Sequence, residues 1–411
     1  MPQRERNRVL WAVAAILLVA AAVYAPMALL APLPAARVVD LGAQTAPGEG
    51  PPPVLPAAGS AAVTLAAEEE PVGSTEAVPI AAAAKIVTAL LVLDKHPLEA
   101  GRSGPSVPVT ADDFASYQRY TAQGVRAVRV VAGDTWTERE ALHAMLLSSS
   151  NNHAEMLARW AYGSLDGYRS AAQAWLAERG LDSVSVADTT GLSPESVGSG
   201  ADLARLAALA FADPFLAEVA GLERSTTTRG LTFENEIAYR PEDGITALSR
   251  SYTDEAGVCL LFSVPVEVGD DTVPVYGAFL GEPSYDDLAA DMDAFLASVP
   301  ASLTRHPLLA AGTPVARYET EWGSSAEAVV RDEVTALGWG GRSSDVAAET
   351  RPVTTAPAGA RVGTVAVTTT EGEVTSPVVL ESAVADPGPL WRLLSPGVVV
   401  PRFVEWVSGR S

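Results

Sequence analysis

Cysteine and lysine are the two residue types that this sequence nearly lacks. Cys259 is its single cysteine, which excludes an intramolecular disulfide and any cysteine-based metal site. Only two of the 28 basic residues are lysines, Lys85 and Lys95, and the other 26 are arginines. Any mechanism that needs a lysine amine is therefore limited to these two positions.

Positive charge is also scarce, because 50 acidic residues give the 411-residue chain a net charge of −22. So acidic a chain is not expected to bind nucleic acid, since phosphate binding needs a basic surface. Charged residues make up 19% of the chain and hydrophobic residues 48%, which argues against a disordered solvating protein. The length suits two or three domains of roughly 150 residues each.

The sequence shows neither a metal site nor a phosphate-binding loop. The four histidines are scattered, and the spacing of His143 and His153 does not place two ligands on one helical face. We predict that His153 lies at the surface and that Cys259, within an apolar run, is an inert core thiol. Glycine-rich loops of the P-loop or dinucleotide type are absent. No metal and no cofactor are therefore expected.

An uncharged run of 23 residues, Val9 to Ala31, lies close to the N-terminus. As a helix it spans roughly 34 Å, which is enough to cross the hydrocarbon core of a bilayer. Three arginines lie in residues 1–8 and no basic residue follows the run before Arg37, so the positive-inside rule places the N-terminus in the cytoplasm. A cleaved signal peptide is the alternative, but its apolar part is normally shorter. We predict an uncleaved anchor over 9–31.

After the apolar run the composition changes twice. Residues 32–58 are rich in proline, alanine and glycine, and we predict an extended linker that lifts a folded body off the membrane. Over 59–302 the pattern gives short strands, a long helical insert, a hairpin turn at Gly269-Asp270-Asp271 and a closing helix. This order predicts a mixed α/β domain with an antiparallel sheet.

The C-terminal part consists of short β-like runs separated by turn residues. It predicts a small separate β-rich domain over 303–396. A tail follows over 397–411, in which Val398–Trp406 is predicted to be a last packed strand. The alternative for this segment is a contact with a membrane or a partner.

Lys85 is the first residue that could carry chemistry. Its neighbours, such as Ile86, Val87 and Leu90, predict a helix that is apolar nearly all round and therefore buried. A buried ammonium group is costly unless it is paired or functional. The alternative to a functional role is that the Lys85 side chain reaches solvent from the first turn of the helix. A second polar cluster, Ser148-Ser149-Ser150-Asn151-Asn152, lies between two predicted helices, where such residues also serve as ordinary caps.

Both features match motifs of one enzyme family. The segment Pro79–Leu90 (PIAAAAKIVTAL) resembles the first motif of the D-Ala-D-Ala carboxypeptidases, the low-molecular-weight penicillin-binding proteins, in which S-x-x-K precedes apolar residues and Thr-Ala-Leu. Ser149-Ser150-Asn151 matches their second motif, S-x-N. Further stretches, such as Asp188–Leu192 and Ala256–Leu260, also resemble the family, and the resemblance runs from about residue 59 to 300. It implies an α/β penicillin-binding, β-lactamase-like fold with a small C-terminal β domain.

The resemblance also implies a reaction. In this family a serine hydroxyl attacks a peptide carbonyl after a lysine one helical turn away takes its proton. Lys85 matches that lysine, and Ser149 and Asn151 match the residues that orient the network and the substrate. A third motif, usually K-T-G, holds the terminal carboxylate of the substrate from a neighbouring strand.

The sequence departs from this pattern at two places. Ala82 stands three residues before Lys85, where the nucleophile belongs, and a methyl group cannot form an acyl-enzyme. The third motif falls on Ser249-Arg250-Ser251 in one alignment register and on Thr246-Ala247-Leu248 in the other. Neither register contains a lysine, because Lys95 lies ten residues beyond Lys85 on the same helical segment.

These departures predict a membrane-anchored, cell-wall-facing homologue of D-Ala-D-Ala carboxypeptidase that has lost catalysis. It would act in peptidoglycan binding or in regulation, with a peptidoglycan stem peptide or a cell-wall protein as its partner. Two alternatives stay open, a residual serine hydrolase that uses Lys85 with Ser149 and a purely structural envelope protein. The candidate site residues are the catalytic positions Ala82, Lys85, Ser149 and Asn151 and the substrate-binding positions Ser249, Arg250 and Ser251.

Overall fold

A computed structural model gives the fold and describes residues 3–46, 50–99, 101–340, 346–369 and 372–409. Parts of the predicted N-terminal tail, linker and C-terminal tail (1–2, 47–49 and 410–411) lie outside the described residues. The helices are α1 Gln3–Leu30, α2 Ala84–Lys95, α3 Ala111–Ala122, α4 Glu138–Leu147, α5 Asn151–Tyr162, α6 Leu165–Glu178, α7 Gly200–Ala212, α8 Pro214–Ala220, α9 Tyr285–Ser302, α10 Gly388–Leu394 and α11 Pro396–Ser408.

The strands are distributed over the whole chain after α1. In chain order they are β1 Arg37–Asp40, β2 Ser60–Thr64, β3 Val72–Gly73, β4 Ala77–Pro79, β5 Ser106–Pro108, β6 Thr135–Thr137, β7 Val197–Ser199, β8 Arg224–Thr226, β9 Thr232–Glu234, β10 Thr246–Thr253, β11 Gly257–Val268, β12 Asp271–Glu282, β13 Leu303–Leu309, β14 Pro314–Glu319, β15 Ser325–Val330, β16 Val334–Trp339, β17 Ala347–Thr350, β18 Arg361–Thr369 and β19 Gly372–Leu380.

The chain divides into two compact units. The central unit comprises Glu49–Arg305 and Leu337–Gly341, and the terminal unit comprises Met1–Gly48, His306–Ala336 and Arg342–Ser411.

The central unit is built on a five-stranded antiparallel sheet in the order β10-β11-β12-β2-β3. The long hairpin β11–β12 turns at Gly269 and Asp270, because Val268 pairs with Asp271 and Gly269 has φ +64°. The predicted hairpin, the mixed α/β class and the antiparallel sheet are thereby confirmed.

Side-chain alternation along β11 gives the sheet two apolar faces. Leu260 and Phe262 pack towards α9, where the rings of Phe279 and Phe295 complete a cluster of edge-on aromatic contacts. Cys259 and Leu261 point to the opposite face and join the core formed with the helices of the insert. The sheet therefore lies between a single helix and a helical layer, and this layer carries the two motifs found in the sequence.

Local capping fixes where the helices of the insert begin. Thr137 accepts from the Glu140 N–H while the Glu140 side chain accepts from the Thr137 N–H, which forms a capping box at the start of α4. Thr110 and Asp113 form the same reciprocal pair at the start of α3. Helix α2 ends at Lys95, with His96 as its C-cap, because Pro97 cannot continue it.

The terminal unit contains a six-stranded antiparallel sheet in the order β1-β14-β15-β19-β18-β17. Tyr318, Val362, Val365 and Val378 are fully buried in its core. Strand β1 comes from the segment predicted to be a linker and pairs with β14, Arg37 opposite Glu319. The valines of β1 give it a strand's propensity, so this part of the segment is folded into the sheet.

Helices α1, α10 and α11 also belong to the terminal unit. Residues Trp11–Leu30 of α1 have a mean hydropathy of 2.4 and are long and apolar enough to cross a membrane. The strand predicted at Val398–Trp406 is wrong, because this segment lies within helix α11. Valines at 398–400 favour a strand locally, but packing of Val399 against Ala28 and Ala31 of α1 stabilises a helix instead.

Candidate functional site

The first motif lies at the N-terminal end of α2. A short 3-10 turn, Ala81–Ala83, leads into the helix, and Ala81 has φ +44°, a left-handed conformation that is strained for a residue with a side chain. Gly191 approaches so closely that a Cβ added to it would lie 1.6 Å from the Ala81 carbonyl oxygen. The backbone before Ala82 is thus held in an unusual conformation by a neighbouring loop that tolerates only glycine at this point.

Lys85 is buried, as its helix predicts, with only 4% of its surface exposed. Its Nζ donates a hydrogen bond to the main-chain oxygen of Thr190 at 3.0 Å. Burial lowers the pKa of Lys85 to about 7, with the Asp188 carboxylate acting against this shift and the Arg126 guanidinium adding to it. At neutral pH a substantial fraction of Lys85 therefore carries no charge.

Asp188 shapes the loop that receives the lysine. Its two carboxylate oxygens accept hydrogen bonds from the N–H groups of Thr190, Gly191 and Ser193. A side chain that accepts from the main chain just after it fixes a tight turn. This turn presents the Thr190 oxygen to Lys85 and brings Gly191 against Ala81.

The second motif lies at the junction of α4 and α5. Ser149 has φ +49°, and Asn151 is the first residue of α5. The Asn151 Oδ1 atom is buried and has no hydrogen-bond partner among the described residues. Ser150 turns the other way, and its hydroxyl contacts Asn152 and His153 in the core. Ser149 and Asn151 are therefore the two members of this motif that face the same space as Lys85.

Strand β10 forms the wall opposite these helices. The Ala82 N–H donates to the Ser251 Oγ at 3.1 Å, which joins the first motif to this strand. Arg250 and Ser251 line the space between them. Ser249 is buried beside them, and Ala247 and Leu248 pack into the hydrophobic cores on either side of the sheet. Of the two predicted registers, only 249–251 brings side chains to this space.

The walls enclose a cavity of about 250 Å³. Three of its lining residues are cationic, namely Lys85, Arg126 and Arg250, and no carboxylate is found among the described residues that line it. Arg126 forms an ion pair with Glu236 at 3.0 Å, and Arg250 donates to the main-chain oxygen of Glu236 at 3.1 Å. A larger open groove of about 830 Å³ along α6 contains no motif residue.

The structure brings Ala82, Lys85, Ser149, Asn151, Arg250 and Ser251 to one cavity. Sequence reasoning did not single out Arg126, Thr190, Tyr252 or Tyr285, which also line it. The segment containing Thr190 was noted only for its resemblance. Its Asp-Thr-Thr-Gly sequence, a turn signal, could have identified it as a loop of the site. Nothing local in the sequence distinguishes Arg126 from the other arginines.

The prediction that His153 lies at the surface is wrong. The residue is fully buried, its ring packs edge-on against Trp136 at 4.6 Å between centroids, and burial lowers its pKa to about 3. Helix α5 is covered by neighbouring helices, and the Ser150 hydroxyl lies 2.8 Å from the His153 Nδ1.

Cys259 is fully buried as predicted, and burial raises its pKa to about 12. Among the described residues, no cluster of three or more His, Cys, Asp or Glu side chains is placed to hold a metal ion.

Comparisons with known proteins agree with the motifs. Residues 68–271 match the family model described as D-alanyl-D-alanine carboxypeptidase. Over 210 residues the chain is 28% identical to a D-alanyl-D-alanine endopeptidase from Pseudomonas aeruginosa, covering 49% of this chain and 64% of that protein. The chain therefore spans slightly less than two thirds of the length of this curated relative.

Solved structures share the fold at lower identity. A peptidoglycan synthesis regulatory factor from Streptococcus pneumoniae superposes with a TM-score of 0.56 at 20% identity, covering 79% of this chain and 99% of that one. The D-alanyl-D-alanine carboxypeptidase DacD from Francisella tularensis gives 0.56 at 16% identity, covering 80% and 94%. At these identities the likeness establishes the fold alone. The family match, the motifs and the shared fold together show that the chain belongs to the D-alanyl-D-alanine carboxypeptidase family of low-molecular-weight penicillin-binding proteins.

Proposed function

We propose that this protein is a membrane-anchored, cell-wall-facing member of its family that binds a peptidoglycan stem peptide without hydrolysing it. One observation carries the proposal. The methyl group of Ala82 borders the cavity at the position where the family chemistry needs a serine hydroxyl, next to Lys85. A methyl group has no lone pair to attack a carbonyl, so no acyl-enzyme can form at this position.

The main-chain N–H of Ala82 supports the same proposal. In serine hydrolases the N–H of the nucleophile helps to stabilise the oxyanion that forms during attack. Here the Ala82 N–H already donates to the Ser251 Oγ at 3.1 Å. A substrate carbonyl would have to displace this hydroxyl before it could occupy the same position.

We assign the third motif to Ser249-Arg250-Ser251, on the ground that Arg250 and Ser251 reach the cavity. In this register Arg250 supplies a guanidinium group at the position of the threonine in K-T-G. The strand has no lysine to supply the ammonium group of that motif. A guanidinium group binds a carboxylate through two parallel hydrogen bonds, which a lysine cannot do. The strand therefore keeps a means of holding a carboxylate even though the family motif is gone.

The charge of the cavity supports a ligand with a free carboxylate. Arg126, Arg250 and the protonated fraction of Lys85 are its charged groups, in a chain whose net charge is −22. A cationic cavity in an acidic protein favours a small anionic group over a neutral one. The C-terminal carboxylate of a stem peptide has this chemistry, and the unpartnered Asn151 Oδ1 can accept from a peptide N–H.

The membrane part of the proposal rests on α1. Residues Trp11–Leu30 can cross a bilayer, and the arginines in residues 1–8 favour a cytoplasmic N-terminus. In this orientation the cavity would lie outside the cell membrane, on the side where peptidoglycan lies.

A residual hydrolase that uses Lys85 with Ser149 is the second candidate. The lowered pKa of Lys85, about 7, favours it because a general base works best near the ambient pH. Against it, the Lys85 Nζ donates to the Thr190 carbonyl oxygen. We also assign no oxyanion site for an attack by Ser149 among the described residues that line the cavity, which include Asn151 and Arg126.

The experiment measures binding and product release together. The full chain in detergent is titrated calorimetrically with an acylated peptide ending in D-Ala-D-Ala, and free D-Ala is then assayed in the same sample. We expect binding without release, and binding that weakens when the peptide carboxylate is amidated. Release of D-Ala that is lost in both Lys85→Ala and Ser149→Ala supports the residual hydrolase. Equal, negligible binding of the acid and the amide supports a purely structural protein.

A further inference from the structure

We propose that Asn152 is a positioning residue for the cavity, because it clamps the main chain at Val128 and thereby holds the Arg126 guanidinium group in the cavity wall. This role rests on the proposed function in its effect on peptide binding, whereas its effect on Lys85 does not depend on any ligand. The clamp uses the part of the polar cluster 148–152 that the proposed function leaves unused.

The polar residues around the second motif point in two directions. Ser149 and Asn151 line the cavity. Ser150 and Asn152 are 0% and 1% exposed, and the Ser150 hydroxyl lies 2.8 Å from the Nδ1 of the buried His153. One short segment therefore supplies cavity groups on one side and buried hydrogen-bonding groups on the other.

The segment that Asn152 holds belongs to the connection from α3 to β6. Residues 126–131 of this connection form neither helix nor strand, so their main-chain groups need partners from elsewhere in the protein. The Val128 N–H donates to the Asn152 Oδ1 at 3.0 Å and to the Ser150 Oγ at 3.2 Å. The Asn152 Nδ2 donates to the Val128 oxygen at 2.9 Å. A single amide side chain thus binds both main-chain polar groups of one residue.

This arrangement needs an amide at position 152. The Ser150 hydroxyl also donates to the Asn152 Oδ1, at 2.9 Å, so the partners on both sides fix which end of the amide is the oxygen. A carboxylate accepts from the Val128 N–H but has no proton for the Val128 oxygen, and an aliphatic side chain can do neither. Because Asn152 is buried, a partner lost there is costly.

Arg126 lies two residues before the clamp. Its main-chain oxygen accepts from the Asn151 N–H at 3.1 Å, so the segment is held to the start of α5 at 126 and again at 128. Its side chain is 48% exposed and pairs with Glu236, whose side chain is 50% exposed, at 3.0 Å. An ion pair this exposed fixes a side chain weakly. The position of the guanidinium group is therefore set chiefly by the main chain, and through it by Asn152.

Two properties of the cavity depend on where Arg126 lies. Its guanidinium group is one of the three cationic groups that favour a carboxylate ligand. Its charge also contributes to the lowered pKa of Lys85. Release of the segment should therefore weaken carboxylate binding and raise the pKa of Lys85 together. A general loss of stability would not couple these two changes to Arg126.

A double-mutant cycle tests this role. Binding of the acid and amidated D-Ala-D-Ala peptides to the full chain in detergent is measured calorimetrically for Asn152→Leu, Arg126→Ala and the double variant. We expect each single change to weaken binding of the acid about fivefold or more, and the double variant to bind no more weakly than Arg126→Ala alone. Ser183→Ala, which removes hydrogen bonds to Ser199 and Asp202 elsewhere in the central unit, is the control for lost stability.

Asn152→Asp keeps the shape of the side chain and provides a second variant in case Asn152→Leu does not fold. Its protonated carboxyl group offers one acceptor and one donor, as the amide does, whereas the ionised group offers acceptors only. Burial favours the protonated form. We therefore expect binding of the acid peptide, relative to the unmodified protein at the same pH, to recover as the pH falls from 8 to 5. A ratio that does not change with pH contradicts the clamp.

Labelling of Lys85 gives a measurement that needs no bound peptide. The chain has only two lysines, and the exposed Lys95 is an internal reference when modification by a neutral amine-reactive reagent is quantified by peptide mass spectrometry. We expect the pH profile of Lys85 labelling to move to higher pH in Asn152→Leu and in Arg126→Ala, and no further in the double variant. The profile of Lys95 should not move.

The outcomes separate this role from the proposed function. If no peptide binds but the Lys85 profile moves as expected, the proposed function fails and the positioning role stands. A profile that moves in Arg126→Ala but not in Asn152→Leu overturns the positioning role, as do additive losses of binding in the double variant. A profile that Arg126→Ala leaves unchanged also overturns it, since the guanidinium group would then lie away from Lys85.

Discussion

The helical wall of the cavity and its strand wall depart from the family pattern to different extents. On the helical wall, Lys85, Ser149 and Asn151 all match the family motifs, and Ala82 alone does not. On the strand wall, none of the residues 249–251, to which we propose to assign the third motif, matches K-T-G. Both walls line the same cavity. We therefore relate the difference in their match to the family motifs to what each side chain contributes to the fold.

The helical motif residues are held in place by the structure around them. Lys85 lies in a helix whose other positions are almost all buried, and its ammonium group ties α2 to the Thr190 loop. Asn151 begins α5 beside the buried Ser150. Ala82 lacks only the hydroxyl of the serine that the family motif has at this position, and the position is half-buried. The strand residues Arg250 and Ser251 are partly exposed at the rim, where substitutions disturb the fold little. On the proposed register, the positions that depart from the family pattern include the partly exposed rim of the cavity, whereas the matching Lys85 is also held by the fold.

The largest expected effect comes from rebuilding both departures at once. Replacement by Ala82→Ser with Ser249→Lys, Arg250→Thr and Ser251→Gly supplies the nucleophile, restores K-T-G and releases the Ala82 N–H from the Ser251 hydroxyl. We expect this variant to be acylated by penicillin at least about 100-fold faster than Ala82→Ser alone, since one oxyanion donor is worth about that factor. Acylation rates are measured by stopped reaction and gel fluorescence. The same variant with Lys85→Ala is the control and should be inactive. Full recovery from Ala82→Ser alone would show that residues 249–251 are not the third motif.

A second prediction concerns the carboxylate-binding role of the strand wall. Arg250→Thr should weaken binding of the D-Ala-D-Ala peptide about tenfold or more, because a bidentate charged hydrogen bond is lost. The amidated peptide should bind both proteins equally, and Arg224→Thr, an exposed arginine elsewhere in the central unit, serves as the control. An equal loss for acid and amide peptides would mean that Arg250 acts on the fold and not on the carboxylate.

A third prediction uses the charge of Lys85 to test the helical wall. The folded-state pKa is about 7 and the ordinary value is 10.5, so between these values the unfolded chain binds more protons than the folded one. The contribution of Lys85 to the free energy of unfolding therefore rises with pH, by about 1.4 kcal/mol per unit. Chemical denaturation between pH 7.5 and 9 should show this rise for the unmodified protein and a flatter profile for Lys85→Met. Parallel profiles would contradict the assigned burial of the ammonium group.

The smallest effect is expected for the bond that joins the two walls. Ser251→Ala removes the hydroxyl that accepts from the Ala82 N–H, and we expect the free energy of unfolding to fall by about 1 kcal/mol. Peptide binding should change little or improve, since the N–H becomes available to a ligand carbonyl. Thr246→Ala, on the same strand but outside the cavity lining, is the control. A large loss of binding in Ser251→Ala would show that the hydroxyl itself contacts the ligand.

Features set by local pattern were predictable from the sequence. The burial of Lys85 follows from the apolar residues around it in α2, and the β11–β12 hairpin follows from alternation and a Gly-Asp-Asp turn. The capping box of Thr137 and Glu140 likewise depends on four adjacent residues.

Features set by distant contacts were not predictable. The burial of His153 depends on Trp136 and on helices packed around α5, and the helical state of 396–408 depends on α1, more than 360 residues earlier. The hydrogen bond from Ala82 to Ser251 joins residues 169 positions apart. The alanine at the family's nucleophile position could be identified from the sequence, but the hydrogen bond of its N–H to Ser251 could not.

Intact mass spectrometry after incubation with benzylpenicillin tests the central claim most directly. A purified, active carboxypeptidase of the family, treated identically, verifies the reagent. We predict that the mass of this protein does not change, because the cavity presents the methyl group of Ala82 at the position of the family's nucleophile, and a methyl group cannot form an acyl bond. A stoichiometric adduct of the mass of the penicillin that disappears in Ser149→Ala would contradict the claim and establish a serine hydrolase.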